Sequence, residues 1–224
     1  MRGRAIPLFY RLQTFHAHKY GGGKTIPLMR TPTQVLIFAG STRQNSYNRK
    51  LANVAATLAR NAGAEVSHIE LGNFDIPLYN ADLEATGTPA DVLRLKELMF
   101  AHPGWIICSP EYNGSYTALL KNAIDWASSP VKGHPVWGSG TRAFTGKVVG
   151  LLSASPGAMG GLRSLSYLTP LMLNLQCWVT PKQHAVSAAG QAFDDAGQLV
   201  HDKDKLGVKA VIDQVLFATE RLAT

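Results

Sequence analysis

The sequence predicts one doubly wound α/β domain, a five-stranded parallel sheet with helices on both faces. Three observations predict it. Apolar runs alternate with segments of helical period from residue 34 onward. The runs are apolar throughout, as strands buried on both faces read, and do not alternate with polar residues. No internal repeat interrupts the alternation, and strand–helix–strand order implies parallel neighbours joined by crossover helices.

The elements follow in chain order. "QVLIFAG" (34–40) is the first strand, ending in glycine. Leu51, Val54, Ala55, Leu58 and Ala62 recur at helical spacing, and Gly63 is a stop signal. "AEVSHIEL" (64–71) is the second strand, and "LGNFDIPLYNADLEATGTP" a long turn-rich connection. Thr88-Pro89-Ala90-Asp91 opens a helix whose apolar side is Val92, Leu95 and Met99. "GWIICS" (104–109) is the third strand, and Leu120, Ala123, Ile124 and Ala127 mark the third helix. Residues 128–144 form a Pro- and Gly-rich loop, and "KVVGLLSAS" (147–155) is the fourth strand. A fourth helix carries Leu165, Leu168 and Met172, with a kink or break expected at Pro170. "CWVTPKQHAVS" holds the fifth strand, and Val208, Val211, Ile212, Val215 and Leu222 give a closing helix.

With 224 residues and 46% apolar composition the chain can bury one sizeable core. No run of 18 apolar residues occurs, so no membrane span is expected. The two cysteines, Cys108 and Cys177, lie in apolar stretches, which reads as buried thiols in a reducing cytoplasm. The net charge of +7 is unevenly spread: residues 1–64 hold ten Lys/Arg and no acid, whereas the rest is nearly neutral. The high pI therefore does not imply nucleic-acid binding. Residues 1–33 carry six basic residues and no sustained period, and read as a poorly ordered extension preceding a domain over 34–224, with Met29 as a natural start. They lack the apolar core of a secretory signal. "GGGKT" within them is not a phosphate loop, because His18 stands where the pattern needs glycine.

Ligands of such sheets bind beyond the carboxyl ends of the strands, at a switch in strand order. Three loops lie there. In the first, "GSTRQNSYN" (40–48), hydroxyls, Arg43 and Asn48 surround a helix N-terminus, whose free N–H groups and dipole favour an anion such as a phosphate monoester. Arg49 adds positive charge nearby, and ordinary capping by Ser46 is the competing reading. In the second, "SPEYNGS", Pro110 presets a turn, Gly114 permits positive φ, and Tyr112 offers an aromatic face. Glu111 reads as an ion-pair or subunit-contact residue rather than a general base. In the third, "SASPGAMGG" (153–161), hydroxyls and glycines suggest backbone close to a ligand.

Nucleophilic and metal chemistry find no pattern. There is no G-x-S-x-G elbow, and the seven histidines show no i, i+4 metal spacing. Cys108 lies inside an apolar strand, a poor place for a thiolate. "GTRAFTGK" is one residue too long for a phosphate loop.

In their order and spacing, "GSTRQNSYNRKLA", "SPEYNGSYTALLKNAIDWAS" and "SASPGAMGGLRS" resemble the NADPH-dependent FMN reductase family, over about residues 34–220. The resemblance implies a flavodoxin-like fold with FMN as cofactor. It implies NADPH or NADH as co-substrate, ping-pong hydride transfer, and quinone-like, azo or metal-oxyanion acceptors. Ser41, Arg43, Ser46 and Asn48 match the family's phosphate loop. Pro110, Glu111, Tyr112, Asn113 and Gly114 match the segment along the flavin ring, and Ser155 and Gly157 match a further loop near it. No side chain is implied as a catalytic residue and no metal as a ligand, since the chemistry belongs to the flavin. A homodimer or homotetramer is implied, with no nucleic-acid or membrane partner. Pro170 and the basic extension depart from the family pattern and bear on assembly. The competing functions are a flavodoxin-type electron carrier, disfavoured by a near-neutral core, and a flavin-free module of the same fold.

Overall fold

The computed structural model describes residues 32–222. Apart from Pro32 and Thr33, the expected N-terminal extension lies outside the described residues. Six parallel strands form one sheet: β1 (Gln34–Ala39), β2 (Glu65–Glu70), β3 (Gly104–Cys108), β4 (Val148–Ala154), β5 (Trp178–Val179) and β6 (His184–Val186). The order is β2-β1-β3-β4-β5, with β6 also on β4. The order reverses between β1 and β3, which opens a crevice at their carboxyl ends.

β5 and β6 are one fifth strand in two pieces. Val179 pairs with Val149 and His184 with Leu152. Five chain steps on one side therefore face three on the other, and the two extra residues bulge out around Pro181, which has no N–H to offer.

Side-chain alternation along the strands divides the core. Val35, Ile37, Ile106, Val148 and Leu152 face α1 (Tyr47–Asn61) and α7 (Asp202–Leu222). Leu36, Phe38, Trp105, Ile107 and Leu151 face the other way. They pack with α3 (Ala90–Ala101), α4 (Ala118–Ala127) and α5 (Leu162–Asn174). All residues of β3 and β4 are buried, whereas edge strand β2 is not.

Three features depart from the sequence expectation. The connection after β2 contains a 3-10 turn (Leu71–Asn73) and a short helix, α2 (Ala81–Thr86), capped by Asn80, whose side chain accepts from the N–H groups of Asp82 and Leu83. A further short helix, α6 (Ala189–Ala192), follows β6. Helix α5 runs unbroken through Pro170. Pro170 and Ser166 are both exposed, so the Ser166 carbonyl that loses its partner can bond to water.

Lys96 on α3 is 1% exposed and has no acidic partner among the described residues. Its ammonium donates to the carbonyls of Ala127 (2.8 Å), the last residue of α4, and Ser129 (2.5 Å) just beyond it. Burial lowers its pKa from 10.5 to about 8, against a smaller opposing pull from Glu84. Between these values the unfolded chain holds a proton that the folded chain has released, so folded stability rises with pH. Urea denaturation is expected to show stability climbing from pH 8 toward 10.5. Lys96→Met should flatten that climb by up to about 1.4 kcal/mol per pH unit; an unchanged slope would assign the titration to another group.

Candidate functional site

The chain leaves β1 at Gly40 and turns into α1 through residues 41–46. Ser46 is the residue preceding the helix and is extended (φ −70°, ψ 128°), yet its hydroxyl makes no capping hydrogen bond. The first N–H groups of α1 have no intrahelical acceptor. Ser46 therefore leaves them without a side-chain cap, at a helix start whose Ser46, Tyr47 and Asn48 line the space above the strands. Ser41 is 5% exposed, and its Oγ accepts from the Arg43 N–H at 3.3 Å, which holds the turn. The Arg43 guanidinium is exposed, lies 5.6 Å from the centre of the Tyr47 ring, and forms no ion pair among the described residues. Arg49 is different: its Nε lies 2.8 Å from Glu70 Oε2, and its Nη1 donates to the carbonyls of Arg43 and Gln44. It braces the loop from behind, and Arg43 is the cation left over.

Asn48 is 2% exposed and fastens this loop to the third one. Its Nδ2 donates to the Ala154 carbonyl at 2.8 Å, and its Oδ1 accepts from the Ala154 N–H at 3.0 Å. The end of β4 and the start of α1 are thus joined by a reciprocal pair of bonds.

The second loop is a hairpin. Tyr112 and Ser115 exchange N–H···O bonds of 2.9 and 3.0 Å around Asn113 (φ 50°) and Gly114 (φ 81°). Positive φ at both central residues is the type I′ turn that Asn-Gly favours. Behind it, Thr117 caps α4 by accepting from the Leu120 N–H, and donates to the Gly40 carbonyl at 2.7 Å. The hairpin is therefore anchored to the end of β1.

Glu111 is held in the wall beside it. One carboxylate oxygen accepts from Arg163 Nε at 2.7 Å and lies 2.5 Å from its Nη2. The other accepts from the Arg163 backbone N–H at 3.1 Å, in the first turn of α5. That helix starts at Gly161, which has no side chain to cap it, and Glu111 supplies the cap from another loop.

In the third loop, the Ser155 N–H donates to Val186 O and the Ser155 carbonyl accepts from the Ala189 N–H. Two of its glycines approach protein. A Cβ on Gly160 (φ +62°) would lie 2.7 Å from Val186 C, and one on Gly161 would lie 2.0 Å from Ser153 Oγ. The sequence reading of these glycines as room for a ligand misses this packing need.

Together the three loops enclose a cleft of about 310 Å³, within the range of small-molecule sites. Ser41, Arg43, Ser46 and Asn48 line one side. Pro110, Glu111 and Tyr112 line the second, and Ser155 the third. Of the sequence-predicted residues, Asn113 and Gly114 form the hairpin tip and Gly157 lies farther along an exposed turn; these three do not line it. Tyr47, Ala154 and Pro156 line it as well and were not singled out from sequence. Each adjoins a predicted residue, which was the only available signal. The Tyr47 ring is also stacked on Phe193 (6.2 Å, 11°), a contact 146 residues away in the chain.

Among the described residues no histidine or cysteine lines the cleft. Cys108 is fully buried in β3, and burial pushes its thiol far above the ordinary range. Burial likewise pushes Cys177 up to about 12. Among the described residues no three His, Cys, Asp or Glu side chains gather as a metal site. Among the described residues, the cleft offers N–H and hydroxyl donors, one cation without an ion pair, and an aromatic side chain 56% exposed at its edge. Such a site can hold an anion at one end and a flat ring at the other.

A family model described as NADPH-dependent FMN reductase matches residues 33–191. The chain is 34% identical to a quinone reductase of Pseudomonas putida, covering 80% of this chain and 91% of that protein. It is 36% identical to an NAD(P)H-dependent FMN reductase of Pseudomonas aeruginosa, covering 86% and 96%. Among solved structures, the flavoenzyme NAD(P)H:(acceptor) oxidoreductase FerB of Paracoccus denitrificans superposes with a TM-score of 0.73 at 28% identity, covering 85% of this chain and 98% of that one.

Proposed function

The chain belongs to the NADPH-dependent FMN reductase family, and on that premise we propose that it is an FMN-dependent NAD(P)H oxidoreductase that reduces quinones. The observation that carries this reading is the pairing, across one cleft, of an unsatisfied helix N-terminus with the exposed Tyr112 hairpin.

The donor set suits a flavin phosphate. Ser41, Ser46 and the first N–H groups of α1 are neutral donors of the right kind, and Arg43 adds charge at the mouth. Asn48 spends both ends of its amide on Ala154 and acts by fixing the cradle. Pro110 and Tyr112 border the ring end, with Ser155 on the far rim; Asn113 and Gly114 at the hairpin tip and Gly157 in the next turn lie outside the cleft lining and would reach the ring only from its open side. FMN, when bound, supplies the hydride chemistry. The side chains bind and orient it, and no protein nucleophile or base is assigned. NAD(P)H and then the acceptor use the open side in turn, a ping-pong order.

The finer reading covers acceptor range, setting and assembly. Quinones are favoured by the names of the relatives, and azo compounds and metal oxyanions extend the class. No helix among the described residues is long and apolar enough to cross a membrane, and both cysteines are free and buried; a cytoplasmic setting is part of the proposal. So is a homodimer or homotetramer, supported by exposed Met159, Leu162 and Tyr167 around α5. Residues 34–224 form the reductase domain in this reading, preceded by the basic extension.

Anaerobic titration tests the function. The expected result is a yellow protein bleached by NADPH or NADH and recoloured by a quinone. Colour that neither nucleotide bleaches would instead fit an electron carrier. A colourless protein that stays colourless with added FMN would overturn the flavin reading.

A further inference from the structure

Glu111 lines a cleft whose other charged lining residue, among the described residues, is the cation Arg43, and its carboxylate is held directly behind that lining. Its side chain is only 9% exposed, and both oxygens are taken up by Arg163. Arg163 has no other acidic partner among the described residues and is 59% exposed, on the outer side of the pair. We propose that Arg163 is a charge-setting residue for the bound cofactor: it cancels the Glu111 carboxylate, so that the wall presents no net negative charge to the ring. The inference rests on the flavin reading and adds the control of its redox balance to it.

The physical argument concerns which form of the ligand the wall favours. Two-electron reduction makes a flavin more electron-rich, and a bare carboxylate in a poorly solvated wall disfavours added negative charge. A guanidinium in contact with that carboxylate removes the penalty. Removing each partner therefore pushes the balance in opposite directions. A clamp that merely held the loop would respond in the same direction to the loss of either partner, because both losses break the same bonds.

The test uses the full chain loaded with FMN and three variants: Arg163→Met, Glu111→Gln and the double variant. Glutamine keeps an acceptor for the Arg163 N–H, so the cap on α5 survives; circular dichroism checks the fold. The readouts are the dissociation constants of oxidised and reduced FMN and the midpoint potential of the bound flavin. In Arg163→Met, reduced FMN should lose about tenfold in affinity relative to oxidised FMN, which lowers the midpoint by about 30 mV for a two-electron couple. In Glu111→Gln the shift should have the opposite sign, and the double variant should return close to the unsubstituted value. Shifts of the same sign in both single variants, or none in either with FMN still bound, would overturn the charge-setting role and leave the flavin reading standing. Failure of the unsubstituted protein to bind FMN would overturn both.

Discussion

Replacing Arg43 and Ser46 together with alanine is expected to weaken FMN binding about a hundredfold or more while leaving the fold nearly as stable as before. A hydrogen bond to a charged group contributes about 1.5–3 kcal/mol, and each 1.4 kcal/mol is about tenfold in affinity, so losing two such contacts reaches that range. Stability should nearly hold because neither side chain makes a hydrogen bond or ion pair that the fold needs, and an exposed contact such as Arg43 on the Tyr47 ring contributes only about 0.5–1 kcal/mol. Ser46 makes no capping bond, so the usual cost of deleting a cap, about 0.5–2 kcal/mol, does not apply. Arg43 is exposed and forms no ion pair among the described residues. Fluorescence titration with FMN and with riboflavin separates the effect. Riboflavin lacks the phosphate, so its affinity should barely change. Normal FMN retention, or an equal loss for both ligands, would show that the phosphate lies elsewhere.

Gly160→Ala is expected to cost about 3 kcal/mol or more, which lowers the thermal midpoint by roughly 6–12 °C for a domain of this size. Two costs add. The added Cβ would lie 2.7–2.8 Å from backbone atoms of Ala185 and Val186, which cannot rotate away as a side chain would. The left-handed backbone there (φ +62°) also disfavours any side chain. Gly157→Ala is the control in the same loop: its Cβ would meet only Ser155 Oγ, at 3.6 Å. Scanning calorimetry should show the first variant strongly destabilised and the second near the parent. Equal midpoints for the two would mean that the third loop is not packed against β6.

Most of the fold was legible because parallel strands buried on both faces are written as uninterrupted apolar runs. "QVLIFA" and "GWIIC" announce themselves. What was not legible lacked that signal. Helix α2 buries none of its residues, so no apolar period exists to betray it; only Asn80 marks its start. The fifth strand was found, but its interruption at 180–183 depends on the register against β4. Pro170 was a fair warning with a mild outcome, because the carbonyl it strands lies on the wet side of α5. In the site, loop positions could be read directly, since strand ends and Gly- or hydroxyl-rich stretches are local. Partnerships could not. Glu111 meets Arg163 across 52 residues and Asn48 meets Ala154 across 106, and no periodicity reports such pairs. Asn48 and Glu111 both line the cleft, but what each one bonds to became visible only in three dimensions.

The Tyr112–Ser115 hairpin is closed by its own two backbone bonds, and a Cβ at its tip, Gly114, would meet nothing within 4 Å. Its shape thus depends on local turn preference and hardly at all on the sheet below. Descendants of this sequence can lengthen the tip without renegotiating the core, although Gly114 itself holds a positive φ (+81°) that side chains rarely adopt. The loop after β1 has no such freedom, because Asn48 ties it to Ala154. On the proposed reading, acceptor range is therefore the trait on which drift and selection can act fastest, because the hairpin can change while the loop bonded to Ala154 cannot.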